Sequence, residues 1–217
     1  MDTERELLAR CRLIEGYSLR QLASHLHLVI PEHALQRKGW AGGALEKALG
    51  ANAGNQPLPD FMELGIELKT LPVNASGKPA ESTFITSIPL LTIQEQTWET
   101  SQCWAKLQRV LWIPIEADPL IPYAHRRIGK AKLWTPSAAE QTTLAQDWTE
   151  LTAMVSMGRL HELSASMGEY LQIRPKAADA KALCYGFDEQ GQKILTLPRG
   201  FYLRSTFTAS SILSITN

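Results

Sequence analysis

From Gly65 to Thr70 the chain reads Gly-Ile-Glu-Leu-Lys-Thr, and the Leu71-Pro72 that follows ends the alternation. Side chains alternate between the two faces of a strand, so Glu67 and Lys69 share one face while Ile66 and Leu68 share the other. A core must therefore lie on one side of this strand and a charged site on the other. Asp60 stands seven residues before Glu67. If the turn between them brings Asp60 alongside, two carboxylates offer oxygen ligands to a hard divalent cation, with an ammonium group one side chain away. That is equipment for hydrolysing a phosphodiester: a cation to polarise the phosphate, and a lysine to orient the nucleophile or offset developing charge. The pattern is short, however, and the same residues on a surface hairpin would be only a solvated charge pair.

The chain has 217 residues, 44% hydrophobic and 20% charged, which is enough to bury a sizeable core in one domain with two lobes. No run reaches the length of a membrane span, and the start, Met1-Asp-Thr-Glu-Arg-Glu6, lacks the basic-then-apolar order of a signal peptide. Cys11, Cys103 and Cys184 are far apart, with no Cys-x-x-Cys pair. This argues against a disulfide framework or a zinc site and fits a cytoplasmic protein. The formal net charge is zero but uneven: residues 1–99 hold 9 Lys/Arg against 12 Asp/Glu, and residues 100–217 hold 13 against 10. An acidic, metal-binding half and a basic half suit a protein that grips a polyanion with one lobe and cuts it with the other.

Thr3-x-x-Glu6 predicts a first helix stopped at Gly16, and Ser18-x-x-Gln21 a second, ended near Pro31. Gly43–Leu49 reads as a short helix closed by Gly50, and 51–59 as a loop. A turn at Asn74–Gly77, strands over 83–90 and 109–116, and a long helix from Thr135-Pro136-Ser137 follow. Segments 169–174 and 194–203 are β-like, with a turn at Asp188–Gly191, and 205–213 is a terminal helix. The class is α/β or α+β. Ser76-Gly77-Lys78-Pro79 lacks the features of a phosphate-binding loop, His161-Glu162 lacks a second zinc-binding histidine, and Gly-x-Ser-x-Gly is absent. His25 and His27, two apart on a helix, point in different directions, and all five histidines read as structural or solvated.

Several blocks carry a wider resemblance. They are Glu46-Lys-Ala-Leu-Gly50-Ala-Asn-Ala-Gly54, the Asp60…Glu67-Leu-Lys69-Thr segment, Trp98-Glu-Thr-Ser and Lys106-Leu-Gln-Arg109-Val-Leu-Trp-Ile-Pro. Gly168-Glu-Tyr-Leu-Gln-Ile-Arg174-Pro175-Lys176-Ala-Ala and Leu195-Thr-Leu-Pro-Arg199-Gly-Phe-Tyr202-Leu complete the set. In this order, from about residue 16 to residue 208, the sequence resembles the MutH family of DNA mismatch-repair endonucleases.

The resemblance implies a restriction endonuclease-like mixed sheet flanked by helices, in two lobes that form a DNA-binding cleft. The approximate lobes are 1–105, catalytic, and 106–217, DNA-recognising. It implies Mg²⁺-dependent nicking of the unmethylated strand at hemimethylated GATC, stimulated by MutL and reached indirectly through MutS, by a monomer. Asp60, Glu67 and Lys69 match the active site, with Asp60, Glu67 and Glu46 on one or two metal ions and Lys106 as a second lysine near the chemistry. Recognition must then come from the second lobe, where Arg174 is the kind of residue that reads base edges or grips phosphate and Lys176 can neutralise a nearby phosphate. Pro175 fixes its own φ and restrains Arg174. Tyr202 matches a tyrosine that senses adenine methylation, whereas on the residue alone it reads as a core or rim tyrosine. For Arg199 and Lys181, phosphate contact and a purely structural role stand level. Two rivals predict different behaviour: a non-catalytic DNA-binding module, indifferent to loss of Asp60, and a GATC-specific restriction endonuclease, indifferent to MutL.

Overall fold

The computed structural model describes residues 3–54, 56–176 and 181–213. In chain order its elements are helices α1 (Glu4–Ile14), α2 (Leu19–Leu26), α3 (Ala34–Arg37) and α4 (Trp40–Leu49), then strands β1 (Glu67–Val73) and β2 (Thr83–Ser87). Helix α5 (Gln102–Leu107), strands β3 (Val110–Glu116) and β4 (Lys132–Trp134) and the long helix α6 (Ala138–Ser156) follow. Strands β5 (Leu171–Pro175), β6 (Cys184–Phe187), β7 (Lys193–Thr196) and β8 (Arg199–Leu203) precede α7 (Ser205–Phe207) and a π-helical turn, Thr208–Ile212. Among the described residues no helix is long and apolar enough to cross a membrane.

The helix starts are set by local chemistry. Thr3 accepts from Glu6 N, and Ser18–Gln21 and Ser137–Glu140 form full capping boxes, so orphan amides of the first turns are satisfied. Helix α2 ends on His27, its C-cap, in the left-handed conformation at φ 54°. Helix α4 begins at Trp40, three residues earlier than expected, and ends as expected at Gly50.

The chain folds into two compact units. The first comprises the described parts of Met1–Glu81, Gln108–Thr135 and Ile212–Asn217, and the second Ser82–Leu107 with Pro136–Ser211. The division is discontinuous, where a single boundary near residue 105 was expected, because the parallel neighbours β1 and β3 belong to one sheet.

In the first unit the sheet runs β1-β3-β4, with β1 parallel and β4 antiparallel to β3. Ile66, Leu68, Leu111, Ile113 and Ile115 pack with Leu7, Cys11, Leu22, Leu45 and Leu49 of the helices. Strand β1 runs through Pro72 to Val73, beyond the expected stop, because it is an edge strand and a missing N–H costs little there.

In the second unit the antiparallel sheet β2-β8-β5 packs on α6, and β6 and β7 form a separate hairpin. The β-like run 194–203 divides into β7 and β8 around Leu197-Pro198. The buried Asp147 of α6 accepts from the N–H groups of Glu169, Tyr170 and Leu171 at 2.9, 2.7 and 2.8 Å, fixing where β5 begins.

Candidate active site

Phe61 and Ile66 pair across a tight turn: Phe61 N donates to Ile66 O at 2.9 Å and Ile66 N donates back at 3.3 Å. The turn is one 3-10 turn, Met62–Leu64, closed by Gly65 at φ 63°, a left-handed conformation that disfavours any residue with a Cβ. Phe61 and Ile66 are fully buried, and each such side chain contributes roughly 1.5–3 kcal/mol to holding the turn down. Extending this antiparallel pairing by one residue sets Asp60 opposite Glu67. The Asp60 carboxylate then turns onto β1, where Oδ2 accepts from Leu68 N–H at 2.8 Å. Glu67 N–H donates to Arg109 O at 3.0 Å, tying the start of β1 to the chain entering β3.

Glu67 is 2% exposed, and Lys69 Nζ lies 2.6 Å from its Oε1, so the two residues share a face as the alternation predicts. A buried carboxylate needs compensating charge. Lys69 supplies part of it, and a donor set of carboxylate oxygens beside a buried negative charge fits a hard divalent cation.

Glu46 is half-buried near the C-terminal end of α4, which packs on β1. Its carbonyl accepts from Gly50 and Ala51 N–H, each at 2.9 Å, and the following Asn52 and Ala53 N–H groups donate to Asp60 O at 2.9 and 3.3 Å. The helix bearing Glu46 is therefore tied to Asp60 by backbone. Lys106 is in the last turn of α5, half-buried, and belongs to the second unit. Among the described residues, the three-membered cluster of potential metal ligands is the exposed His161, Glu162 and Glu189, in the second unit.

Of the residues expected to contact DNA, Arg174, Lys176 and Tyr202 gather on one face of the sheet β2-β8-β5, and Pro175 alternates to the other. Gln172, Tyr202 and Phe84 lie across from one another, and Arg174 pairs in register with Gly200. Arg174 Nη1 donates to Ser82 Oγ at 2.7 Å, and its guanidinium carbon is 5.9 Å from the Tyr202 ring centroid. Phe84 meets Tyr202 edge-on at 5.3 Å, and Lys176 Nζ lies 3.5 Å from the Phe84 centroid. A Cβ at Gly200 would come within 2.7 Å of the Phe84 ring, so the glycine makes room for that aromatic. Arg174, Pro175 and Lys176 are exposed and Tyr202 half-buried, at the rim rather than in the core.

Arg199 is spent on its own unit: it donates to Leu197 O, Thr196 Oγ1 and Leu160 O, and burial holds its pKa below the usual arginine value. This favours the structural role. Lys181 is exposed.

Two residues of these sites escaped the sequence reading. Phe84 carried a signal, since alternation on its strand sets it on the face opposite Thr83 and Ile85. Asn52, in a polar loop, carried none. Its Oδ1 accepts from Met62 N–H at 3.1 Å, and its Nδ2 donates to both oxygens of Glu63 at 2.8 and 2.9 Å. Backbone amide donation and the Asn52 amide hold the Glu63 carboxyl below the usual carboxylate range.

An acid returned to β1 by a turn, a buried acid and a lysine on one face of that strand, and exposed cations beside aromatic rings in the second unit are features compatible with a nuclease. A family model described as "DNA mismatch repair enzyme MutH" matches residues 49–147, which include Asp60, Glu67, Lys69 and Lys106. The "DNA mismatch repair protein MutH" of Shigella boydii serotype 18 is 50% identical over 209 residues, covering 96% of this chain and 91% of its own. The protein of the same name from Escherichia coli (strain K12) is 49% identical over the same shares. The chain belongs to the MutH family of DNA mismatch repair enzymes, the endonuclease family that its sequence blocks resemble.

Proposed function

We propose that this chain is a Mg²⁺-dependent endonuclease that nicks the unmethylated strand at hemimethylated GATC sites in mismatch repair, with MutL as its activating partner. The observation that carries the reading is the Asp60–Glu67–Lys69 geometry: a turn that returns the Asp60 carboxylate to β1, where it accepts from Leu68 N–H, and an ammonium 2.6 Å from the buried Glu67.

Asp60 and Glu67 would hold the cation, with Glu46 as a third carboxylate from α4. A bound Mg²⁺ supplies Lewis acidity at the scissile phosphate and stabilises the charge that develops there. Lys69 does not ligate a cation while protonated. It orients the attacking water or offsets negative charge at phosphorus, at a fixed place because its strand is fixed. Lys106 joins this chemistry as a second cation. The full restriction endonuclease-like architecture, with two lobes about the duplex, belongs to the same reading.

Arg174 and Lys176 neutralise phosphate or read base edges, and the Tyr202–Phe84 pair offers an aromatic edge to the major groove, where an adenine N6-methyl group lies. A protein that nicks one strand has no need of a two-fold dimer, so it works as a monomer, in the cytoplasm, with MutS acting through MutL.

The test is a nicking assay on a duplex with one hemimethylated GATC, each strand labelled separately, with Asp60→Ala as control. The expected result is Mg²⁺-dependent cleavage of the unmethylated strand, stimulated by MutL with ATP and lost in the variant. Cleavage of both strands of unmethylated GATC, indifferent to MutL, would make this a restriction-type enzyme. No cleavage under any condition would leave a DNA-binding relative.

A further inference from the structure

Asn52 is the residue through which the segment after α4 grips the turn carrying Asp60. Its backbone N–H donates to Asp60 O at 2.9 Å, its Oδ1 accepts from Met62 N–H at 3.1 Å, and its Nδ2 donates to Glu63 Oε1 and Oε2 at 2.8 and 2.9 Å. A carboxamide presents acceptor and donors in one plane, so this side chain holds two successive residues of the 3-10 turn at once. One of them, Met62, opens the turn, where the N–H has no partner within so short a helix.

We propose that Asn52 is a positioning residue for Asp60, acting through the Met62–Glu63 turn that it clamps. The proposal rests on reading Asp60, Glu67 and Lys69 as the cutting site. The Asp60 carboxylate reaches Leu68 N–H only while the turn holds Phe61 against Ile66. Loss of the Asn52 side chain removes the tie on the outer arm of the turn and leaves the backbone bonds in place. Asp60 is then displaced rather than released. Catalysis is far more sensitive than folding to such a shift, since a misplacement of about 1 Å costs on the order of a hundredfold. The clamp itself is solvent-exposed, so global stability changes little when it is lost.

The test compares the full-length wild type with Asn52→Ala, Asn52→Asp, Glu63→Gln and the double variant Asn52→Asp/Glu63→Gln on the same labelled duplex. The expected result for Asn52→Ala is a kcat about tenfold lower, with KM for the duplex and the urea midpoint unchanged. Calorimetric titration with Ca²⁺, which needs no turnover, should show weaker cation binding than the wild type. Asn52→Asp sets carboxylate against carboxylate and should lose at least as much. The double variant places the amide at position 63 and the carboxylate at position 52, and should restore kcat to within about twofold of the wild type.

Asn52→Ala cutting at the wild-type rate, a rate loss that tracks lost stability, or a double variant no better than Asn52→Asp would each overturn the proposal alone. A wild type that does not cut in Mg²⁺ would overturn the reading of the site, and the proposal with it.

Discussion

Lys69 has two tasks that a single substitution separates. Its ammonium balances a carboxylate that is 2% exposed, and on the proposed reading it also acts at the phosphate. Lys69→Ala should keep its affinity for the duplex, because the proposed grip lies with the exposed cations of the second unit, yet cut about a hundred- to a thousandfold more slowly. Binding in Ca²⁺ and nicking in Mg²⁺, measured on one substrate, check this, and a parallel loss of binding would move the role of Lys69 from chemistry to grip. The shared face of Glu67 and Lys69 was legible from strand alternation, whereas the spacing alone left the turn that returns Asp60 to β1 open. Asn52 was not legible, since an asparagine in a polar loop looks the same whether it clamps a turn or faces water. Phe84 lay between these cases: its strand was recognised, but the partners that make its face interesting, Tyr202 and Lys176, arrive from distant sequence.

At the scale of elements, long helices and buried strands were read well because their signals are local. The capping boxes at Ser18 and Ser137 are complete in the structure, and Leu144, Trp148, Leu151 and Val155 bury one stripe of α6. Helix α5 and strand β6 were missed because six and four residues carry too little periodicity to stand out. Tertiary bonding fixes other starts, and β5 is the case to test. Three backbone amides converge on Asp147, whose carboxylate is their common acceptor. Asp147→Ala leaves buried donors unsatisfied and should cost about 3 kcal/mol or more by urea unfolding. On the proposed reading it should also weaken duplex binding, because β5 carries Arg174 and Pro175. A loss under about 1 kcal/mol would mean that other groups or water take over the amides.

For the whole molecule, burial makes a simple prediction about the three thiols. Cys11 and Cys103 are 5% and 1% exposed, and burial pushes the Cys11 thiol up to about 11 and the Cys103 thiol higher still. Both stay protonated at pH 8 and so lack the reactive thiolate. A thiol-specific reagent should therefore label one group in the native protein, Cys184, and three after denaturation. A second fast-reacting thiol in the native state would show that a core opens on the timescale of labelling.

The discontinuous division of the chain reaches into synthesis. Strand β1 carries Glu67 and Lys69, but its hydrogen-bonded neighbour β3 begins only at Val110, after the whole of Ser82–Leu107 has been made. Parallel pairing across such an excursion is a late event, since loop closure must precede the contacts that reward it. A nascent chain stopped before Val110 carries Glu46, Asp60 and Glu67 but not the strand that β1 pairs with. On the proposed reading, cutting activity would appear only once β3 has been made and paired with β1.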